Sequence, residues 1–353
     1  MNKVFFVIPN LAAGGAERVS ITFARLLKKN GLIVEFVNLG GPRGEMEKWI
    51  KPEFDLVSFG YDRVLQSILK LHSFMKQQQN EVLFFGSREH VNIVNLLAAR
   101  GTKCQVIARI PNMPRNNLSV GQSGYKMQVI KRINRWLLPK AKFVIAQNDE
   151  MRKQLLRYYS LSDEKVVTIN NPIDEDYVKR ASESCVNPYP KKSTVFLAAC
   201  TIDYRKGIDV LMRAWPYVKS QIPNALMFVI GRNTSEYAQQ LEIAAKDLDG
   251  FTFLGFQSNP YTYMKNCDVF VLSSRMEGFP NVLLEAMCLN RPVASTTCVE
   301  VIRDIVKEGV NGYCCNIEDP KGLAVAMTKA SKLEGITNNY NLFKMDKLLE
   351  VFG

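Results

Sequence analysis

Short, uninterrupted apolar runs alternate with amphipathic stretches along the whole chain. KVFFVI (3–8) is the first, patterned as a strand buried on both faces. PNLAAGG follows, then AERVSITFARLLKKNG (16–31), in which Val19, Phe23, Leu26 and Leu27 share one helical face and Gly31 stops the helix. LIVEFVNL (32–39), EVLFFG (81–86), CQVIARI (104–110) and KFVIAQ (142–147) are further strand candidates, with helical patterns near 62–78, 90–100 and 124–138. The second half repeats the style. Its strand candidates are STVFLAAC (193–200), ALMFVIG (225–231), FTFLGF (251–256), DVFVLSS (268–274) and RPVAS (291–295), and helices fill 206–220, 235–248, 281–289 and 319–333. This alternation predicts parallel, doubly wound sheets.

A length of 353 residues fits two domains. Between the halves, INNPIDEDYVKRASESCVNPYPKKS (169–193) carries three prolines, mixed charge and few aliphatics, which reads as a linker. The expected organisation is a first α/β domain over 1–170, a linker over 171–192 and a second α/β domain over 193–335. A last segment, 336–353, ends in the amphipathic KMDKLLEVFG and is expected to cross back to the first domain. Two such domains face a cleft, and ligands of open parallel sheets bind beyond the carboxyl ends of the strands.

Charge sharpens this picture. The net charge is +12, and residues 1–170 hold 26 Lys+Arg against 13 Asp+Glu, while 171–353 hold 20 against 21. Between Glu89 and Asp149 there are ten basic residues and no acid. The eight cysteines show no CxxC spacing and sit mostly in apolar runs, as buried thiols in a reducing compartment would. Two histidines, His72 and His90, argue against a His-based metal site and a Ser-His-Asp triad. No apolar run approaches the ~20 residues of a membrane span, and MNKVFFVIPN reads as a first strand rather than a signal segment.

The chemistry concentrates in MEGFPNVLLEAM (276–287), which places Glu277 on a glycine-proline turn and Glu285 inside the helix that the turn begins. Pro280 suits the first turn of that helix, where its missing N–H costs nothing. The amides of Asn281, Val282 and Leu283 are then expected to be unpaired, at a helix end able to hold a diphosphate. Glu285, one turn in, points back toward that end and can accept hydrogen bonds from hydroxyls such as a ribose's. Glu277 can do the same for a sugar ring, or face positive charge developing there. From the helix pattern alone, a surface turn residue and a solvated helix position remain equally open. Gly14 and Gly15 mark a turn between strand and helix where backbone passes close to something or takes positive φ. AAGGAE lacks GxGxxG spacing, which counts against a nicotinamide dehydrogenase. Arg205 and Lys206 stand just before a helix start at Gly207, so that cation and helix dipole can act together on phosphate.

EGFPNVLLEA (277–286) resembles the paired-glutamate signature, Glu, seven residues, Glu, of retaining glycosyltransferases with the GT-B fold, in particular glycosyltransferase family 4. PNLAAGGAERV (9–19) resembles the family's N-terminal glycine loop, DYRKGIDVLMRAW (203–215) its phosphate-binding Lys-Gly segment, FLGFQSNPYTYMKNCDVFVLSS (253–274) its approach to the glutamates, and INNPID (169–174) its hinge segment. The likeness spans nearly the whole chain. It implies two Rossmann-like domains and a nucleotide sugar lying mainly on the second. Glu285 would hold the ribose hydroxyls, and Gly278, Phe279, Pro280, Asn281, Val282 and Leu283 the diphosphate and sugar. Lys206, with Arg205, would neutralise the leaving nucleoside diphosphate. Gly14 and Gly15 would close over the phosphates, with Gly15 nearest. Glu277, Lys206 and Arg205 are thus the implied catalytic residues. No metal and no cofactor is expected.

Two positions depart from the family. An arginine usual upstream of Lys-Gly is replaced by Cys200, and a histidine usual after a first-domain strand falls in ARIPNMPR (108–115), where Asn112 stands nearest. Arg109 and Asn112 are the acceptor candidates by position. In GYKMQVIKRINRWLLPKAK (124–142), Met127, Ile130, Ile133, Trp136 and Leu137 form a stripe flanked by Lys131, Arg132 and Arg135. Core packing is the expected role of that stripe, and the basic surface around it is expected to face an anionic membrane or lipid-phosphate acceptor. No nucleic-acid motif accompanies the charge. The resulting expectation is a metal-independent transferase moving a hexose or N-acetylhexosamine, most often from a uridine diphosphate sugar, to a lipid-linked or envelope glycan. It would work in the cytoplasm, at the inner face of the bacterial membrane. The alternatives are a non-catalytic glycan-binding or partner subunit of the same fold, or a nucleotide-sugar epimerase.

Overall fold

The structure is a computed structural model and describes residues 3–12, 14–41, 43–78, 80–114, 124–183, 186–334, 336 and 342–353, without the side chains of 124–127. Arg115, the thiol of Cys185 and the side chains of Tyr125, Lys126 and Met127 therefore lie outside the described residues. The chain divides into two compact units, Met1–Pro172 with Phe343–Gly353, and Ile173–Leu342.

The first unit holds seven parallel strands: β1 (Lys3–Ile8), β2 (Ile33–Asn38), β3 (Asp55–Ser58), β4 (Leu83–Gly86), β5 (Gln105–Arg109), β6 (Phe143–Ala146) and β7 (Val166–Thr168), in the order β3-β2-β1-β4-β5-β6-β7. Its core is aromatic, with Phe6 against Phe85 at 4.8 Å and Phe5 stacked on Phe84 at 4.9 Å. The last helix, Met345–Phe352, buries Leu348, Val351 and Phe352 in this core, the Phe352 ring 5.6 Å from Phe85.

The second unit holds six parallel strands: β8 (Thr194–Ala199), β9 (Ala225–Ile230), β10 (Phe251–Gly255), β11 (Val269–Leu272), β12 (Val293–Thr296) and β13 (Gly312–Cys315), in the order β10-β9-β8-β11-β12-β13. Buried Trp215 anchors its core between Phe196 and Phe251, its indole N–H donating to the Asp249 carbonyl. Each unit is thus a doubly wound α/β layer, and the strand order reverses between β1 and β4 in one sheet and between β8 and β11 in the other. Those reversals open the crevices in which such sheets bind ligands.

Three strands have no counterpart in the hydrophobic pattern. β3, β7 and β13 are edge strands of three or four residues, too short to print a run. The segment 171–192 also differs from a plain linker. Helix Glu175–Glu183 packs on helices Pro260–Asn266 and Asn281–Cys288, the Asn259 amide donates to the Ala181 carbonyl, and Tyr189 is buried against Phe228. Proline-rich composition concealed a helix whose buried face is only Val178 and Ser182.

Candidate functional site

In the second unit, β8 leads into a tight turn, Tyr204–Lys206, and then into helix Ile208–Gln221. Gly207 closes the turn at φ 61°, and a Cβ there would lie 2.1 Å from the Ser273 carbonyl, so only glycine fits. Asp203 caps the turn by accepting from the Arg205 amide at 2.9 Å. The turn is then stitched to the segment after β11. Ser273 Oγ donates to the Lys206 carbonyl, and the Arg275 amide donates to the Arg205 carbonyl at 2.7 Å. The buried Arg275 guanidinium donates to the Tyr204 carbonyl and, as a fork, to Asp209 at 2.7 and 2.6 Å. It also pairs with Glu318 and lies over the Tyr204 ring.

This stitching brings Lys206 to Glu277. Nζ donates to Oε1 at 2.7 Å, and Ser274 Oγ donates to the same oxygen at 2.7 Å. Oε2 has no partner among the described residues, and the two side chains are 21% and 12% exposed. Burial acts to lower the Lys206 pKa, but the Glu277 charge and hydrogen bond, with Cys200 and Asp203, outweigh it and the net shift is upward. The ammonium therefore stays protonated at neutral pH. Cys200 lies within electrostatic reach of this pair, its thiol pushed up to about 12 by burial against the opposing pull of Lys206. Cys298 is likewise raised to about 12 by burial, with Glu277 adding to it.

The other residues of the signature sit close by, with corrections. Arg205 is half exposed and forks onto Asp203, NH2 to Oδ2 at 2.6 Å, so its charge is partly committed. Pro280 is the N-cap of helix Asn281–Cys288 rather than its first residue. The Asn281 amide donates to the Phe279 carbonyl and the Leu283 amide to the Pro280 carbonyl, so neither is unpaired. The turn tightens enough to satisfy its own donors, as helix ends do. The amides of Phe279 and Val282 have no partner among the described residues. Phe279 and Pro280 are buried, and Gly278 and Val282 partly so. Glu285 is half-buried and accepts from the buried Tyr261 hydroxyl at 3.3 Å.

The first unit contains the remaining candidates. Helix Gly15–Lys29 starts at Gly15, with Gly14 as its extended N-cap. A Cβ on Gly14 would lie 2.5 Å from Glu17 Oε2, whereas one on Gly15 would meet nothing within 4 Å. Positive φ explains neither glycine. Arg109 ends β5, within the strand expected over 104–110, and is 1% exposed, donating to Ser87 Oγ at 2.6 Å and Asn171 Oδ1 at 2.7 Å. Burial lowers its pKa, against the opposing influence of Glu17. Asn112 is exposed. Helix Gly124–Leu137 turns Asn134 and Leu137 inward, while Val129, Ile133 and Trp136 are 40%, 38% and 55% exposed. Of the stripe expected in the core, Leu137 is buried and Ile130 partly so, whereas Ile133 and Trp136 are on the surface, beside Arg132 and Arg135, with Lys140 Nζ 3.5 Å from the Trp136 centroid.

Ser274, Arg275, Asp209 and Tyr261, and in the first unit Glu17 and Arg88, escaped the sequence reading. An arginine in SSRMEG carries no local sign of burial, and its carboxylate partner lies 66 residues away. The Glu in GGAER, three residues after an N-cap glycine, was the one available hint.

Comparison with known proteins adds to this geometry. The model described as Glycosyltransferase Family 4 matches residues 13–177, and that described as Glycosyl transferases group 1 matches 179–342. An uncharacterised glycosyltransferase of Methanocaldococcus jannaschii is 29% identical over 203 residues, 56% of this chain and 50% of that protein, so the chain spans half its length there. The N-acetylgalactosamine-N,N'-diacetylbacillosaminyl-diphospho-undecaprenol 4-alpha-N-acetylgalactosaminyltransferase of Campylobacter jejuni is 21% identical, covering 92% of this chain and 88% of that one. Among solved structures, Anabaena HepE in complex with UDP and glucose superposes with a TM-score of 0.77 at 17% identity, covering 99% and 98% of the two chains. At that identity the likeness speaks for the GT-B fold alone.

Proposed function

Because this chain belongs to glycosyltransferase family 4 and is a glycosyltransferase, we propose that it transfers a hexose or N-acetylhexosamine, with retention, from a uridine diphosphate sugar to a hydroxyl of a lipid-linked or envelope glycan. The single observation that carries the donor half is the Lys206–Glu277 pair at the crevice where β8 and β11 diverge. An ammonium held protonated beside a carboxylate with one oxygen free supplies both halves of a sugar-phosphate site.

In this reading Glu277 Oε2 accepts from a sugar hydroxyl. Lys206, with Arg205, stabilises the departing diphosphate, whose bond to the anomeric carbon breaks. The acceptor oxygen attacks from the same face, and its proton passes to the phosphate oxygen that leaves. The free amides of Phe279 and Val282 receive donor oxygens, and Glu285, steadied by Tyr261, accepts the ribose hydroxyls. In this reading Lys206 and Arg205 meet the charge that develops, and no metal takes part.

On the acceptor side, the Campylobacter relative's name carries a sugar on diphospho-undecaprenol. Of the two acceptor candidates, exposed Asn112 is proposed to contact the acceptor, and Arg109, 1% exposed, to act there through Ser87 and Asn171. No helix among the described residues is long and apolar enough to cross a membrane. The exposed Val129, Ile133 and Trp136 stripe, bordered by Arg132, Arg135 and Lys140, supports a peripheral seat on an anionic leaflet. A thermal-shift screen of nucleotide diphosphate sugars, followed by transfer assays, tests the reading. Selective stabilisation by uridine diphosphate sugars, lost in Glu285→Ala, is expected. Full transfer activity in both Glu285→Ala and Lys206→Ala would end it.

A further inference from the structure

The first sheet carries its own charged pair at the reversal between β1 and β4. Glu17, on the helix that follows β1, is 3% exposed, and Arg88, just after β4, grips it with two bonds, Nε to Oε1 at 2.5 Å and NH2 to Oε2 at 2.8 Å. The Arg88 side chain is 41% exposed, and its NH1 has no partner among the described residues. One edge of the guanidinium is thus anchored to a buried carboxylate while the other faces out. Gly14 makes room for this, since its missing Cβ is the space Glu17 Oε2 occupies.

Behind Arg88 stands a second guanidinium. Arg109 reaches Ser87, the residue before Arg88, and Asn171, both neutral partners. Its Nε is buried with no partner, and no carboxylate pairs with it among the described residues. A buried charge without a counter-charge is costly unless something supplies one. Glu17 is already committed to Arg88, and Glu89, the next acid, acts on Arg88 as well as on Lys131 of the neighbouring helix, so two carboxylates stand against three cations. His90 is disposed to neutrality by burial and by Arg88. The crevice therefore holds positive charge in excess, with one guanidinium fork presented outward.

We propose that Arg88, anchored by Glu17 and backed by the unneutralised Arg109, receives a phosphate-class anion at the carboxyl edge of the first sheet. This deepens the function proposed above and rests on it, because the lipid-linked acceptor of that reading bears such a group as a prenyl diphosphate.

Titration calorimetry on the full chain, with geranyl diphosphate and UDP as separate probes, tests this. Arg88→Gln is expected to weaken geranyl diphosphate binding at least tenfold, and Arg88→Lys, which keeps charge without the fork, to weaken it less. Arg157→Gln removes the same charge from an exposed helix position and is expected to change nothing. Loss of both assigns the crevice to diphosphates in general, and loss confined to UDP overturns the acceptor assignment. Unchanged affinity for both probes in Arg88→Gln, or equal losses in Arg157→Gln, overturns the proposal. UDP binding in Lys206→Ala is measured alongside. If that variant loses UDP while Arg88→Gln loses nothing, this inference falls and the donor reading stands.

Discussion

Lys206 and Glu277, 71 residues apart in the chain, share a 2.7 Å ion pair because the turn after β8 is tied through its backbone to the segment after β11. The tie is made by the Ser273 hydroxyl, the Arg275 amide and the Arg275 guanidinium, so the pair is fixed by three independent bonds that involve neither of its side chains.

Replacing Lys206 by methionine is expected to reduce kcat for glycosyl transfer by roughly 10²–10³-fold, as loss of one preorganised charge-stabilising group does. Donor KM is expected to move far less. Steady-state kinetics with varied donor check this, and an unchanged kcat would remove Lys206 from the chemistry.

Glu285→Ala removes an acceptor that Tyr261 steadies. Lost hydrogen bonds between a carboxylate and ribose hydroxyls are worth about 1.5–3 kcal/mol, so UDP affinity is expected to fall at least tenfold. Calorimetry measures it, and Tyr261→Phe is expected to give a smaller fall in the same direction.

Gly207→Ala meets two obstacles, a left-handed backbone at φ 61° and a Cβ 2.1 Å from the Ser273 carbonyl. The backbone alone costs roughly 1–2 kcal/mol. A fall in Tm of at least about 4 °C is expected, together with lost transfer as Lys206 shifts. A thermal scan reporting a wild-type Tm would refute the close approach.

Trp136→Ala combined with Arg132→Gln and Arg135→Gln is expected to weaken binding to vesicles containing phosphatidylserine, with each basic residue worth about 1 kcal/mol. The loss should shrink as salt rises. Co-sedimentation at two ionic strengths decides it; equal binding of variant and parent would deny the helix any membrane role.

Thiol titration gives a stability test. Burial raises Cys200, Cys267 and Cys298 from 9.0 to about 12 in the fold. Below the unfolded value of 9.0 the thiols are protonated in both states and their contribution is fully present. As pH rises from there toward about 12, only the unfolded chain ionises, so stability falls. Denaturant melts between pH 8 and 11 are expected to show this decline, reduced in Cys298→Ser. Alkylation of Cys267, which is fully buried, is expected to wait for unfolding at pH 7.5.

The chain by itself determined two doubly wound layers, because continuous apolar strand runs and amphipathic helices are local patterns that survive without neighbours. Spacing within one short motif marked Glu277 and Glu285, and only the family resemblance joined Lys206 to them. Tertiary structure decided everything that depends on distant partners. Edge strands β3, β7 and β13 exist because a neighbour offers its backbone, not because four residues insist on extension. Pro280 became a cap, and two amides expected to be free were absorbed by the tightened turn. The apolar stripe at Ile133 and Trp136 went to the surface since helical periodicity fixes which residues share a face, while packing chooses which face turns inward. Arg109 ends one strand and Arg275 follows another closely, with nothing local to tell them apart. Only the fold gave Arg275 its carboxylates and left Arg109 without one, and that difference arises from side chains that folding alone brings near.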